Sequence, residues 1–179
     1  MKRVFCYLIG TKTAELTYGI DQHDLQAYTD TDGSTQEHCR AISGYAFLFD
    51  GGAISWSSKK QELVSQSTTE AEYVAATHAA KEAAWLCILT DDLFPPLSML
   101  ITLYCDNQSA ITLASKDNYQ ARTKHMAIQY HYIREVIANG AIKLVHCPTA
   151  EMAADILTKA LPAWKTNVHV TTLGLCQLK

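Results

Sequence analysis

The sequence predicts an α/β domain built on a mixed sheet, and three observations predict it. With 179 residues, 48% of them hydrophobic, the chain is long enough to bury one substantial core, which points to a single domain with short appendages. Its early strand-like runs are joined by a hairpin signal, and its later ones are separated by helical stretches. A hairpin makes antiparallel neighbours, whereas a helical crossover favours parallel ones.

In chain order, "LQAYTD" follows the turn-prone "GIDQHD" and reads as a strand ending in acid. "SGYAFLFDGGAISW" reads as two strands joined through Asp50-Gly51-Gly52, where Asp-Gly is a strong hairpin signal. From Ser67 to about Leu89 helix formers dominate, and Ala71, Ala75, Ala79, Ala83 and Leu86 recur at spacings of four and three on one face. Pro95-Pro96 breaks the chain, "MLITLYC" gives a buried-type strand, and "NQSAITLAS" gives a short helix. "TKHMAIQYHYIREVIANG" predicts a second long helix closed by Asn139-Gly140. "AIKLVHC" is the last strand, and Pro148-Thr149 begins a helix expected to run to about Ala160, where Pro162 stops it.

Net charge is −3 and the pI about 6.1, so no global basic field drives unaided nucleic-acid binding. A polyanionic partner has to be held locally or by another chain. Six cysteines are scattered without a C-x-x-C pair, which argues against a zinc site or a disulfide framework. The basic and then apolar "MKRVFCYLIG" has no clear cleavage site after it, and no stretch approaches the roughly 20 apolar residues of a membrane span. The expectation is an intracellular protein without membrane spans.

Four carboxylates fall at comparable places: Asp30 at the end of the first strand, Glu72 early in the long helix, Asp106 after "LYC", and Asp155 in the last helix. If neighbouring strands end on one sheet edge, these side chains converge. Two like charges about 4 Å apart repel by on the order of 4 kcal/mol at an effective dielectric near 20, so such a cluster needs cations or protons. Hard oxygen donors suit Mg²⁺ or Mn²⁺, and a pair of such ions is suited to phosphodiester hydrolysis. Each acid also has a plainer reading. Asp106 competes as the N-cap of "NQSAITLA", Asp30 competes with Asp32 as a turn aspartate, and Asp155 as part of a solvated helix face. Ser67 with Glu70, and Thr69 with Glu72, match the capping-box pattern, which assigns structural duty to Glu70 before Glu72.

"GYAFLFDGGAISWSSKKQ", "STTEAEYVAA", "AAKEAAWL", "LYCDNQSAI", "RTKHMAIQYHYIRE" and "ADILTKALP" closely resemble the ribonuclease H domain of copia-type LTR retrotransposon polyproteins, from about Leu25 to Pro162. Residues 1–24 are similar to the connection from reverse transcriptase to ribonuclease H, 25–162 would be the ribonuclease H-like domain, and 163–179 a C-terminal tail. The resemblance implies a five-stranded mixed sheet flanked by helices, and endonucleolytic cutting of RNA in an RNA–DNA hybrid. It carries the catalytic and metal-holding acids onto Asp30, Glu72, Asp106 and Asp155, holding two Mg²⁺ ions with Mn²⁺ as a substitute.

It also implies an assisting histidine at His146, for which a histidine merely ending a strand is the alternative. Arg122, Lys124 and Arg134, with His125 and His131, are candidates for contact with the hybrid backbone or for a solvated helix face; His78 reads as packing. Asn107, Gln108, Ser67 and Thr68 are polar candidates for ribose or phosphate contact, or equally caps. A reverse transcriptase domain is the implied partner, and a cytoplasmic virus-like particle the implied location. "TDTDGSTQEHCRAISG" lacks the tryptophan that relatives carry after the first acids, and Cys87 and Ile88 stand where they favour arginine after "WL". Those departures, with the acidic balance, support a competing expectation of a non-catalytic retroelement remnant that folds without productive substrate binding.

Overall fold

The computed structural model describes residues 2–19, 24–32, 40–62, 64–65, 67–93, 100–115 and 127–177. The basic and apolar N-terminus is helical over Lys2–Gly10 (α1), an element without a counterpart among the expected ones, and a short strand Ala14–Leu16 (β1) follows. Gln26–Asp32 (β2), Ile42–Phe49 (β3) and Gly52–Lys60 (β4) make an antiparallel meander. The turn between β3 and β4 is Asp50 at φ 51° and Gly51 at φ 83°, with Phe49 paired to Gly52. Positive φ at both centres is the hairpin geometry that Asp-Gly favours.

Then come Thr68–Leu93 (α2), Ile101–Cys105 (β5), Gln108–Ser115 (α3), Ala127–Ala138 (α4) and Ile142–His146 (β6). β5 runs parallel to β2 and β6 parallel to β5, which closes a five-stranded mixed sheet in the order β4-β3-β2-β5-β6. The expected start of the second long helix, residues 123–126, lies outside the described residues. Its end is as expected: Gly140 N–H donates to Ile137 O and Ala141 N–H to Val136 O, the paired bonds of a Schellman cap.

Ala71, Ala75, Ala79, Ala83 and Leu86 of α2 are buried as their spacing predicts, but so are Tyr73, Val74, Ala76, Thr77 and Ala80. The helix is covered on more than its sheet-facing stripe, because Ile133 and Val136 of α4 join Ala27, Phe47, Ile101 and Leu103 of the sheet in one core around it. Small side chains let a helix approach on several sides at once.

The last helix departs from expectation. Thr149–Glu151 is a 3₁₀ turn, Met152 is extended at φ −72° and ψ 93°, and only Asp155–Thr158 (α5) is α-helical. Met152, Ala153 and Ala154 are all at 0% exposure. A straight helix would bury one stripe, whereas the kinked chain turns three consecutive residues inward. Pro162 does not close this helix. It stands as N-cap of Ala163–Thr172 (α6), a position suited to a residue without an N–H. Leu175–Gln177 (β7) then pairs antiparallel with β1, so the expected tail and the first segment meet in a two-stranded ribbon. Leu16, Leu173 and Leu175 pack with Ala46, Leu48, Ala53, Ala153, Ile156 and Leu157 in a second core cluster. Among the described residues, no helix is long and apolar enough to cross a membrane.

Candidate active site

β2 and β5 are parallel neighbours, so their C-terminal ends lie on one sheet edge. Asp30 sits within β2 rather than at its last residue, which is Asp32. Asp30 is 1% exposed, and its Oδ2 accepts a short hydrogen bond from the Thr158 hydroxyl of α5. The Lys159 ammonium lies 2.9 Å from Asp155 Oδ1 and 3.7 Å from Asp30 Oδ2, bridging the two acids. Of the two aspartates left in competition by the sequence, Asp30 is therefore the one facing another acid across a shared cation.

Glu72 enters from the first turns of α2. Ser67 caps that helix, its Oγ accepting Glu70 N–H at 3.2 Å and its carbonyl accepting Ala71 N–H at 3.1 Å. Thr31 N–H donates to the Glu72 carboxylate, yet Glu72 Oε2 is buried without a hydrogen-bond partner. Asp106 follows the last residue of β5 and accepts from Thr149 Oγ1 at 3.0 Å. The capping duty for which it competes falls to Asn107, whose Oδ1 accepts Ala110 N–H at 3.0 Å. Carboxylate oxygens of Glu72 and Asp106 and the Cys105 Sγ all lie within 4.8 Å of one another.

Electrostatics tie the two halves together. Burial pushes the Asp30 carboxyl up to about 7; the Thr158 hydroxyl and Lys159 oppose that rise, and the charges of Asp155 and Asp106 add to it. Glu72 is pushed up to about 9, first by burial and then by Asp30 and Asp106. Burial works against the Lys159 ammonium, but its hydrogen bond to Asp155 and the charge of Asp30 outweigh it and hold its pKa above the usual lysine value. Asp155 Oδ2, like Glu72 Oε2, is buried and unpartnered. The four acids thus form one cluster that, among the described residues, the Lys159 ammonium leaves incompletely neutralised.

No family model matches the chain. It is 40% identical over 176 residues to the retrovirus-related Pol polyprotein from transposon TNT 1-94 of Nicotiana tabacum, covering 98% of this chain and 13% of that one. It is 39% identical over 168 residues to the Pol polyprotein from transposon RE2 of Arabidopsis thaliana, covering 90% of this chain and 11% of that one. An RNase H1 isolated from compost superposes with a TM-score of 0.58 at 19% identity, covering 76% of this chain and 94% of that one. The foamy viral protease-reverse transcriptase in complex with RNA/DNA hybrid gives 0.55 at 16% identity, over 88% of this chain and 21% of that one. The chain is homologous to one segment of these transposon Pol polyproteins and has the ribonuclease H fold. It spans about an eighth of the length of those curated relatives.

Within this ribonuclease H fold the other candidates scatter. His146 is the exposed last residue of β6 and is paired with Cys105, the neighbour of Asp106, so it flanks the acid cluster. Gln108 and Thr68 are exposed at the starts of α3 and α2, while Asn107 and Ser67 serve as caps. His131 is exposed on α4, and Arg134 of the same helix donates to Leu113 O at 3.0 Å. Arg122, Lys124 and His125 lie outside the described residues. Lys159 was not among the expected residues, although its place four residues after Asp155 is the spacing of a helical ion pair. Lys59, Lys60 and Lys81 also went unexpected. With the half-buried His78 they line a cleft of about 510 Å³ between the β3–β4 hairpin and α2, and none of the four acids lines it.

Proposed function

We propose that this chain hydrolyses the RNA strand of RNA–DNA hybrids endonucleolytically, as the ribonuclease H part of a copia-type retrotransposon polyprotein that also carries reverse transcriptase. The observation that carries this reading is the convergence of four buried or half-buried acids in a ribonuclease H fold, with unpartnered oxygens on Glu72 and Asp155. The donor set is carboxylate oxygen throughout, apart from one thiol, which fits Mg²⁺ or Mn²⁺. Asp30, Glu72, Asp106 and Asp155 would hold two such ions, which when bound supply an activated water and charge neutralisation at the departing 3′ oxygen. Thr158 and Thr31 fix the orientation of Asp30 and Glu72 through hydrogen bonds, and Thr149 does so for Asp106. His146, exposed beside the cluster, would assist the reaction or the release of product. The RNA strand would be distinguished by its 2′-OH through exposed polar groups at the helix starts such as Gln108 and Thr68. Lys60 and Lys81 of the cleft, which Glu62 and Glu82 also line, with Lys59 held by Glu62 at 3.5 Å, would offer contacts for backbone phosphates beyond the acids.

A labelled hybrid incubated with the chain and Mg²⁺ tests this directly. Internal cuts in the RNA strand are expected, with Asp106→Asn reducing them by at least about a hundredfold, on the scale of losing one charge-stabilising group. Equal rates in the two proteins would overturn it. The net charge of −3 favours a second reading, a folded but non-catalytic remnant. Absence of cutting together with hybrid affinity no better than that of a neutral control protein would select it.

A further inference from the structure

Lys159 neutralises only one side of the cluster. Its ammonium bridges Asp155 and Asp30, and at the other side Glu72 and Asp106 face each other with the Cys105 thiol between the strand and the helix start. That side has two features which separate it from an all-oxygen site. Glu72 is 7% exposed and its Oε2 lacks any hydrogen-bond partner. Cys105 is 1% exposed, and its Sγ lies within 4.8 Å of carboxylate oxygens of both Glu72 and Asp106. Ligand atoms around a tetrahedral zinc-sized ion with one sulfur stand about 3.6 Å apart, so modest rotation of the carboxylates closes the gap. Asp106 is half-buried and gives an ion its way in.

We propose that Glu72, Cys105 and Asp106 form a mixed sulfur and oxygen site that captures a thiophilic divalent ion of the zinc and cadmium class, displacing Mg²⁺ and blocking hydrolysis. Thiolate prefers such ions strongly, whereas Mg²⁺ gains nothing from sulfur. Binding exchanges the S–H bond for a metal–sulfur bond and releases the thiol proton to solvent, together with the proton of the Glu72 carboxyl wherever that group is protonated, with no change of oxidation state. The three protein ligands leave a fourth position for water, as in open zinc sites. The inhibitory part of the proposal rests on the hydrolase reading above; the site itself does not.

Cadmium is the probe, because a cadmium–thiolate bond absorbs in the ultraviolet. The full chain, Cys105→Ser and Glu72→Gln are titrated with Cd²⁺ in metal-free buffer, with circular dichroism as the check that each is folded. The full chain should show a charge-transfer band saturating with one high-affinity equivalent. Cys105→Ser should lose that band, and Glu72→Gln, which leaves every thiol in place, should weaken it by about tenfold or more. A band of undiminished size in Cys105→Ser, or one that Glu72→Gln leaves at full affinity, would overturn the proposal, since the sulfur would then bind alone or elsewhere. Cutting of hybrid with Mg²⁺ by the unsubstituted chain is measured separately. Its absence would sink the hydrolase reading and leave the absorbance result standing, whereas cutting that persists at saturating Cd²⁺ would sink the inhibition alone.

Discussion

Lys159 is the residue on which the metal-free state of the cluster turns. Asp155 Oδ1 has the ammonium at 2.9 Å and Asp155 Oδ2 has no partner, so removing the lysine strands a fully buried carboxylate. Breaking a fully buried pair costs roughly 3–5 kcal/mol; Lys159 is one-third exposed, which lowers the expectation to about 2 kcal/mol. Lys159→Met should therefore unfold earlier in urea in the presence of EDTA, and Mg²⁺ should recover most of the loss. A midpoint unchanged in EDTA would show that the ion pair contributes nothing. The pH dependence follows from the neighbouring acids. Asp30 at about 7 and Glu72 at about 9 both hold their protons more tightly in the folded state than in the unfolded one. Their contribution to stability is thus fully present below the unfolded value near 4 and is lost as pH rises toward 7 and then 9. Metal-free protein should lose urea resistance steadily between about pH 5 and pH 9, and saturating Mg²⁺ should flatten that slope. A metal-free slope that rises instead would contradict the burial of these two acids.

At the scale of elements, α5 sets the geometry of the acid cluster although it is a single turn, and the reason lies in β3. Gly44 pairs with Asp30, and a Cβ on it would meet Thr158 Cγ2 at 2.7 Å and Leu157 Cβ at 3.0 Å. Only a glycine lets α5 lie close enough for Thr158 to reach Asp30 and for Lys159 to bridge to Asp155. Gly44→Ala should push α5 off the sheet, costing about 1–3 kcal/mol as overpacking does. Hybrid cutting should fall more than stability alone explains; full cutting at a lowered melting temperature would mean that α5 tolerates the shift. The sequence exposes the hairpin, α2 and the C-cap of α4, because Asp50-Gly51, the alanine spacing and Asn139-Gly140 are local signals. It does not expose the break at Met152, where three consecutive apolar residues look helical and only burial against β3 and β2 decides otherwise. Asp106 and Asn107 show the same limit: two adjacent residues share the capping chemistry, and only the hydrogen bond to Ala110 N–H tells them apart.

At the scale of the whole molecule, position alone leaves the four acids with plainer readings and the resemblance is what groups them, since Asp30 lies inside β2 and Glu72 a turn into α2; Lys159 went unread although it stands four residues after Asp155. The C-terminal segment was equally hidden. Residues 163–179 are expected as a C-terminal tail, yet Leu173 and the half-buried Leu175 pack in the second core cluster beside Ile156 and Leu157 of α5, and β7 pairs with β1. His169 of α6 is also buried, at 1% exposure, and Asp155 is close enough for its charge to raise the pKa of this imidazole against the lowering by burial. The terminal segments therefore brace the face of the sheet on which α5 rests. A chain cut to residues 25–162 should lose the packing of buried Leu173, a cost of about 2–5 kcal/mol for a large apolar side chain removed from a core, and a smaller contribution from each of the half-buried Leu16 and Leu175. Its urea midpoint should drop well below that of the full chain, and hydrogen exchange should quicken at the amides of α5 before those of α2. Equal midpoints and unchanged exchange at α5 would mean that the sheet holds Asp155 in place without help from either terminus.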